Sequence, residues 1–405
     1  MKILQINTTV NSGSTGRIAE DIGKVLIENG HESYIAYGRG NPSSKSHLIK
    51  IGNDWDVYRH GLKTMFFDRH GFGSESATKF LIEEIDKIKP DVIGLHNLHG
   101  YYLNIQILFK YLKDKGFPVI WTLHDCWAFT GHCSHYQNIN CAKWQSHCDN
   151  CPKTNKYPFS FYDNSFQNFE DKRRVFTELI DQKLRIVVPS LWLREEVKES
   201  FLKDYYTSTI YNGIDLNLFS RKLPPKEIKN LTQGRIVLLG VANIWQESKG
   251  IYDFIKLSQD IPEDYLIVLI GGNLKKEYSK DNVLIIRSTS SIQELADWYN
   301  VADIFINPTY LDNFPTTNIE ALACGTPVIT YNTGGSPESV NEQTGAVVKK
   351  GDIPGIKSAI KKLLSKDQNL LKADCRARAE KFFDNNERYL DYLKLYDSLI
   401  IAKNK

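Results

Sequence analysis

No stretch of this 405-residue chain approaches the roughly 18 consecutive apolar residues that a membrane-spanning helix needs. The opening residues, MKILQINTTV, lack the long apolar region and cleavage site of a secretory signal, so a cytoplasmic protein is the expectation. The net charge of only +3 gives no argument for nucleic-acid binding and allows no more than a weak attraction to anionic membrane surfaces. There is no repeat of fixed period and no low-complexity segment. What is present is the composition of a soluble globular protein, 41% hydrophobic and 24% charged, in a chain too long for one ordinary core.

Strand and helix signals alternate along the chain. Strands are expected at Lys2 to Asn7, Tyr34 to Tyr37, Asp91 to Leu95, Val119 to Leu123 and Arg185 to Val188. Helices are expected at Arg17 to Asn29, Glu75 to Ile88, Ile105 to Lys115 and Leu191 to Leu202. The pattern pauses at Tyr211-Asn212-Gly213-Ile214-Asp215 and Pro224-Pro225, then resumes with strands at Arg235 to Leu239, Leu266 to Ile270, Val283 to Ile286, Asp303 to Asn307 and Pro327 to Thr330. Such alternation predicts α/β architecture with parallel sheets covered on both faces. The expected organisation is two Rossmann-like domains, 1–206 and 207–384, facing across a cleft, and a terminal segment 385–405 holding an amphipathic helix over Asn386 to Ala402.

Seven cysteines are present, and five lie between Cys126 and Cys151. Cys133, Cys141, Cys148 and Cys151 form C-x7-C-x6-C-x2-C, and the last pair has the chelate spacing of structural zinc sites. In a reducing compartment this favours zinc over free thiols, stapling an insertion at 126–156 judged poor in apolar content of its own. Cys126, His132, His135 and His147 are spare ligands; Cys324 is read as a small core residue.

The richest segment is Asp312 to Glu338, DNFPTTNIEALACGTPVITYNTGGSPE. Two carboxylates, Asp312 and Glu320, stand eight positions apart. A Thr before the apolar run predicts a helix starting near Thr316, whose unpaired amides can seat a diphosphate. Glu320 is then placed to reach a ribose and Asp312 a sugar ring. The Asn11-Ser12-Gly13-Ser14-Thr15-Gly16-Arg17 loop has glycines that permit close approach to an anion, although it is not a full G-x-G-x-x-G. His124-Asp125 ends an apolar strand, where open α/β sheets bind ligands, and His96, Asn97 and His99 reach the same rim.

The acid-x7-acid segment, the Ala-Cys-Gly-Thr-Pro-Val-Ile helix end and the Gly-Gly-Ser-Pro-Glu that follows resemble the retaining glycosyltransferases of family four, and the resemblance extends over nearly the whole chain. The cysteine-rich insertion resembles that of a bacterial polysaccharide subgroup. The resemblance implies a GT-B fold whose terminal helix crosses back to the first domain. It implies transfer of a hexose-type sugar, with retention, from a UDP- or GDP-sugar to a saccharide or lipid-linked saccharide, without a catalytic divalent metal, at or near the inner face of a membrane. Surface polysaccharide, capsule or lipopolysaccharide, is the product so implied. On this resemblance the catalytic positions are Asp312, His124 and Lys249. The donor site comprises Gly13, Ser14, Thr15, Gly16, Asn243, Lys249, Asn313, Phe314, Thr316, Thr317 and Glu320; Asn97, His99 and Asp125 lie on the acceptor side. Two positions depart from the pattern. Asp312 stands where Glu is usual, and Asn243 where an Arg normally joins Lys249 in neutralising the diphosphate, leaving Arg17, Arg287 or a helix end to compensate. An epimerase on the same architecture and a non-catalytic zinc-stapled partner subunit are the competing readings.

Overall fold

The computed structural model describes residues 1–179 and 184–403. The chain forms two compact units, Met1–Ile210 joined by the chain from Arg388 onward, and Tyr211–Glu387.

The first unit is built on a sheet of seven strands: β1 (Lys2–Asn7), β2 (Glu32–Tyr37), β3 (His47–Lys50), β4 (Val92–Leu95), β5 (Val119–Thr122), β6 (Leu184–Val188) and β7 (Thr207–Thr209). Their order is β3-β2-β1-β4-β5-β6-β7, and every pairing is parallel. Its helices are α1 (Gly13–Glu28), α2 (Asp54–Phe67), α3 (Glu75–Ile88), α4 (Ile105–Lys115), α5 (Ser165–Thr177) and α6 (Leu191–Lys198). The second unit opens with α7 (Lys226–Leu231) and has six strands: β8 (Ile236–Ile244), β9 (Tyr265–Gly272), β10 (Val283–Ile286), β11 (Ile304–Asn307), β12 (Val328–Tyr331) and β13 (Gly345–Val348). These run parallel in the order β10-β9-β8-β11-β12-β13. Its other helices are α8 (Ile251–Gln259), α9 (Ile292–Val301), α10 (Thr316–Ala323), α11 (Ile353–Leu364) and α12 (Gln368–Phe382), and α13 (Asn385–Lys403) ends the chain.

The period-two geometry of a strand explains why these strands read as continuous apolar runs. Along β1, Ile3 enters the cluster on one face of the first sheet, while Leu4 and Ile6 enter the cluster on the other. Ile120 between Val119 and Trp121, and Val187 between Ile186 and Val188, divide in the same way. One face is covered by α3, α4, α5 and α6, and the other by Ile18, Ile22 and Leu26 of α1 with Tyr389, Tyr392, Tyr396 and Leu399 of α13. Three buried tyrosines on one helix contribute about 1.5–3 kcal/mol each by area. Gly94 on β4 makes room for this helix: a Cβ there would lie 2.9 Å from the Tyr396 hydroxyl. Many helices begin on side-chain caps, including Asn53, Asn104, Ser190, Ser291, Asp352 and Asp367, so polar residues ahead of the apolar runs set their starts.

The insertion after β5 is not poor in apolar anchors. Cys126, Trp127, Phe129, Cys133, Tyr136 and Trp144 are buried in the core of the first unit, and Trp144 stacks on Tyr136 at 5.1 Å. Lys172 of α5, wholly buried, donates to the carbonyls of Trp127 (2.8 Å) and Thr130 (3.0 Å) and lies 3.6 Å over the Trp127 ring. Burial lowers its ammonium to about 7, against the pull of Asp68. Replacing it with methionine, Lys172→Met, fills the volume but orphans two buried carbonyls. Urea unfolding is expected to show a loss of about 2–4 kcal/mol, with faster proteolysis between Trp127 and Trp144; unchanged stability would remove Lys172 as the insertion's anchor.

Candidate functional site

In the second sheet, β8 has neighbours β9 and β11 on either side, so the connections diverge beyond the carboxyl ends of β8 and β11, where ligands bind in doubly wound sheets. β8 carries exposed Asn243 as its last residue but one, and the chain leaving it turns through Glu247–Lys249 and starts α8 after Gly250. Gly250 has φ +76°, and a Cβ there would sit 2.3 Å from the Pro308 carbonyl, so this turn and the loop after β11 touch backbone to backbone. Tyr310 N–H donates to the Ser248 carbonyl at 2.8 Å and closes the same contact. The consequence is an ion pair: Lys249 Nζ lies 2.7 Å from Asp312 Oδ2, with both side chains partly exposed. Positions 63 apart in sequence are thus in charge-assisted contact.

The helix that follows begins at Thr316, as the sequence predicts, but the cap is Pro315 and no side-chain oxygen caps it. The first amides of α10, four residues after Asp312 in the chain, are therefore left without a capping side chain. Glu320, the fifth helical residue, is 2% exposed and accepts a 2.9 Å hydrogen bond from the Tyr299 hydroxyl. Asn318 ties the helix down: its Oδ1 accepts from Asn307, and its amide donates to Ser336 and Ser339, all at 2.8–3.1 Å. Gly335 N–H donates to the buried Asn313 carbonyl at 2.8 Å, and Asn212 Nδ2 donates to the Phe314 carbonyl at 3.2 Å. Sequence reading missed Tyr299, Asn307 and Asn318. Asn318 alone left a signal, as an amide in the first turn of an otherwise apolar helix.

The first sheet has the same kind of divergence, between β1 and β4. Helix α1 starts at Gly13, four residues before the predicted start, so Gly13, Ser14, Thr15 and Gly16 are its first turn rather than a loop. Ser12 is the N-cap and makes no capping bond. Across the divergence, Thr8 Oγ1 donates to the carbonyls of Asn97 (3.1 Å) and His99 (2.6 Å). Gln5 Nε2 donates to the Ala19 carbonyl, so its Oε1 faces His96 Nε2 at 3.0 Å as an acceptor. His96 is then protonated on Nε2, and its Nδ1 accepts from His124 Nε2 at 3.1 Å. Burial lowers His124 to about 4 and holds His96 well below the ordinary imidazole value, so both rings are neutral near pH 7. His99 Nε2 meets Asp125 Oδ2 at 2.7 Å. Burial pushes the Asp125 carboxyl up, but the charge and hydrogen bond of His99 take it down to about 2.

The four cysteines of the expected zinc site, Cys133, Cys141, Cys148 and Cys151, line one small cavity beside His132 and Trp144. Among the described residues, no group of three or more His, Cys, Asp or Glu side chains is placed to hold a metal ion. All seven cysteines are free. A hydrogen bond between Cys133 and Cys151 raises the first thiol and lowers the second to about 7, while burial raises Cys148 to about 12. The aromatic side chains and Lys172 anchor the same insertion to the core. The spare candidates are separately engaged: His132 Nδ1 bonds Asp68 at 2.6 Å and His147 pairs with Glu170 at 3.0 Å. Cys324 is buried in the second core, as read.

Comparison with known proteins accords with this geometry. The description "Glycosyltransferase Family 4" matches residues 15–218, and "Glycosyl transferases group 1" matches residues 235–366. The putative colanic acid biosynthesis glycosyl transferase WcaC of Escherichia coli K12 is 25% identical over 372 residues, covering 87% of this chain and 88% of its own. An Escherichia coli UDP-Gal:alpha-D-GlcNAc-diphosphoundecaprenol alpha-1,3-galactosyltransferase is 25% identical over 268 residues, 58% of this chain and 68% of that one. Among solved structures, sucrose-phosphate synthase from Thermosynechococcus elongatus superposes with a TM-score of 0.70 at 18% identity, covering 99% of both chains. Anabaena HepE in complex with UDP superposes at 0.67 and 14%, covering 98% of this chain and 100% of its own. The fold is therefore GT-B, and the chain belongs to glycosyltransferase family 4.

Proposed function

We propose that this glycosyltransferase moves a hexose-type sugar from a UDP- or GDP-linked donor to a saccharide or lipid-linked saccharide in polysaccharide biosynthesis, with retention of anomeric configuration. The observation that carries the donor assignment is the Lys249–Asp312 pair beside the uncapped start of α10, with Glu320 within that helix. A diphosphate brings two negative charges, which Lys249 and the Thr316–Thr317 amides would meet. Asp312, released from Lys249, would then be available to sugar hydroxyls, and Glu320 to the ribose. In the transfer step the bond from the anomeric carbon to the phosphate oxygen breaks, the acceptor oxygen bonds that carbon from the same face, and the acceptor proton passes to the departing phosphate. Support for UDP comes from Anabaena HepE, solved in complex with UDP and with UDP-glucose. Support for a polysaccharide product and a diphosphoprenyl-linked acceptor comes from the names of the two Escherichia coli relatives. Product NMR after turnover of a nucleotide-sugar panel reads donor, linkage and anomeric configuration together.

Among the described residues no helix is long and apolar enough to cross a membrane. Peripheral contact is supported by aromatic side chains of the first unit. Phe66 and Phe67 at the end of α2 and Phe159, Phe161 and Tyr162 are exposed, Phe161 by 70%. The Phe161 N–H donates to the Met65 carbonyl at 2.8 Å, and the Phe66 and Phe161 rings lie 5.9 Å apart. An exposed aromatic patch of this kind suits the headgroup layer of a membrane that holds a prenyl-linked acceptor.

Three outcomes are expected. Glu320→Gln, which preserves volume, should weaken UDP binding by roughly 10- to 150-fold in calorimetry, the cost of one charged hydrogen bond; unchanged affinity would sink the ribose assignment. Lys249→Ala should lower turnover by about 10²–10³-fold, and Asn243→Arg should retain activity, since exposed Asn243 leaves room for the longer side chain. Full turnover by Lys249→Ala would move the diphosphate elsewhere. Finally, the Phe66→Ser/Phe161→Ser double variant should float with phosphatidylglycerol–phosphatidylethanolamine vesicles at least about tenfold less than wild type, from about 1.5–3 kcal/mol per buried ring; equal flotation would exclude this patch.

A further inference from the structure

The cysteine-rich insertion does more than pack on the core. The chain leaves β5 at Thr122, runs through the insertion and comes back at Tyr157 to the carboxyl ends of the strands it left. There the Tyr157 hydroxyl lies 3.0 Å from His99 Nδ1 and 3.4 Å from His70 Nε2. The proton positions follow from the partners. His70 Nε2 accepts from the Gly100 N–H at 3.1 Å, so it carries a lone pair. His99 Nε2–H is directed at the Asp125 carboxylate at 2.7 Å, so Nδ1 accepts the Tyr157 proton when the ring is neutral, and when the ring is charged it donates to the phenolic oxygen, whose proton then goes to His70. Asp125 is fixed in turn by the Trp127 N–H at 2.9 Å. The Tyr157 proton is thus committed to an imidazole, while its phenolic oxygen keeps acceptor capacity.

The rings are as informative as the hydrogen bonds. His70 lies 4.6 Å from Tyr101 and 5.4 Å from Tyr157, and the two tyrosines are 6.1 Å apart. Yet Tyr157 is 44% exposed and Tyr101 half-buried. A tyrosine that serves only packing hides its ring and exposes its hydroxyl. Tyr157 does the reverse: its hydroxyl is anchored although the residue as a whole is exposed. Arg39, exposed, lies near enough to act electrostatically on both tyrosines and adds guanidinium donors at the edge. A flat aromatic face with anchored polar groups around it matches a pyranose, whose C–H face stacks on a ring while its hydroxyls need donors and acceptors.

We propose that Tyr157, Tyr101 and His99, with Asp125 and His70 orienting them and Arg39 at the edge, form a subsite for a pyranose ring of the acceptor, and that the insertion exists in part to supply its wall. This rests on the glycosyltransferase reading above and assigns to the insertion the recognition of the acceptor sugar. Tyr157, Tyr101, His99 and Arg39 touch the sugar; Asp125 and His70 are positioning residues.

Saturation-transfer NMR with the methyl pyranosides of glucose, galactose and N-acetylglucosamine tests this on the whole chain. Wild type should transfer magnetisation to the ring protons of at least one glycoside. Tyr157→Ala should lose the signal. Tyr157→Phe, which keeps the face and removes one hydrogen bond, should weaken binding by roughly 2- to 12-fold. Thermal midpoints confirm that each variant is folded. Equal transfer by wild type and folded Tyr157→Ala, or no transfer from any glycoside to wild type, overturns the subsite. Calorimetry of UDP with wild type tests the donor reading separately: UDP bound with no glycoside signal overturns the subsite alone, and neither bound overturns both.

Discussion

Parallel pairing is the constraint on which everything else depends. Every paired strand in both sheets runs the same way as its neighbours, so within each sheet all carboxyl ends fall along one edge. Parallel strands require a crossover, and the crossover begins with a helix whose first amides have no partners in the helix. In each unit the first strand also has neighbours on both sides, so successive crossovers part company beside it. Helix starts are therefore gathered along one edge of each sheet before any particular side chain is chosen. Asn97, His99 and His124 in the first unit, and Lys249 and Asp312 in the second, stand at such ends.

Charge distribution in the second unit follows from this. Lys249 reaches Asp312 because the Gly250 turn can pass within contact of the Pro308 carbonyl, which a side chain would forbid. The pair is only partly exposed, and its two charges neutralise each other. Glu320, two turns away in the same motif, is buried and held by Tyr299. One acid is thus ion-paired near solvent, and the other is buried within the fold. In the first unit the opposite strategy operates: Gln5, His96 and His124 form a chain of neutral groups in which each hydrogen bond determines the tautomer of the next.

Much of this was legible in the sequence. The limits of α3 and α4 follow from apolar periodicity and match residue for residue, because both are amphipathic helices between clear signals. The strands β3, β7 and β13 escaped notice: they are three or four residues long, and at sheet edges or beside them they carry less of the apolar pattern that marks a buried strand. The start of α1 was placed four residues late because glycines and serines resemble a loop, whereas the helix gains its stability from the buried face that follows. The cysteine cluster is a different case. Cysteine spacing describes what a loop could chelate, but not whether Trp127, Phe129, Trp144 and Lys172 already hold it.

The sequence by itself determined the architecture, the family and the segment that carries the paired acids, because these depend on periodicity and on residues close together in the chain. Tertiary structure alone decided which groups meet. Lys249 and Asp312 are 63 positions apart, Glu320 and Tyr299 are 21, and His99 and Tyr157 are 58, and no local pattern encodes those contacts. They arise because crossovers return distant loops to one edge of a parallel sheet, where a few ångströms decide whether a charge is paired, a hydroxyl is anchored or an aromatic face is left open.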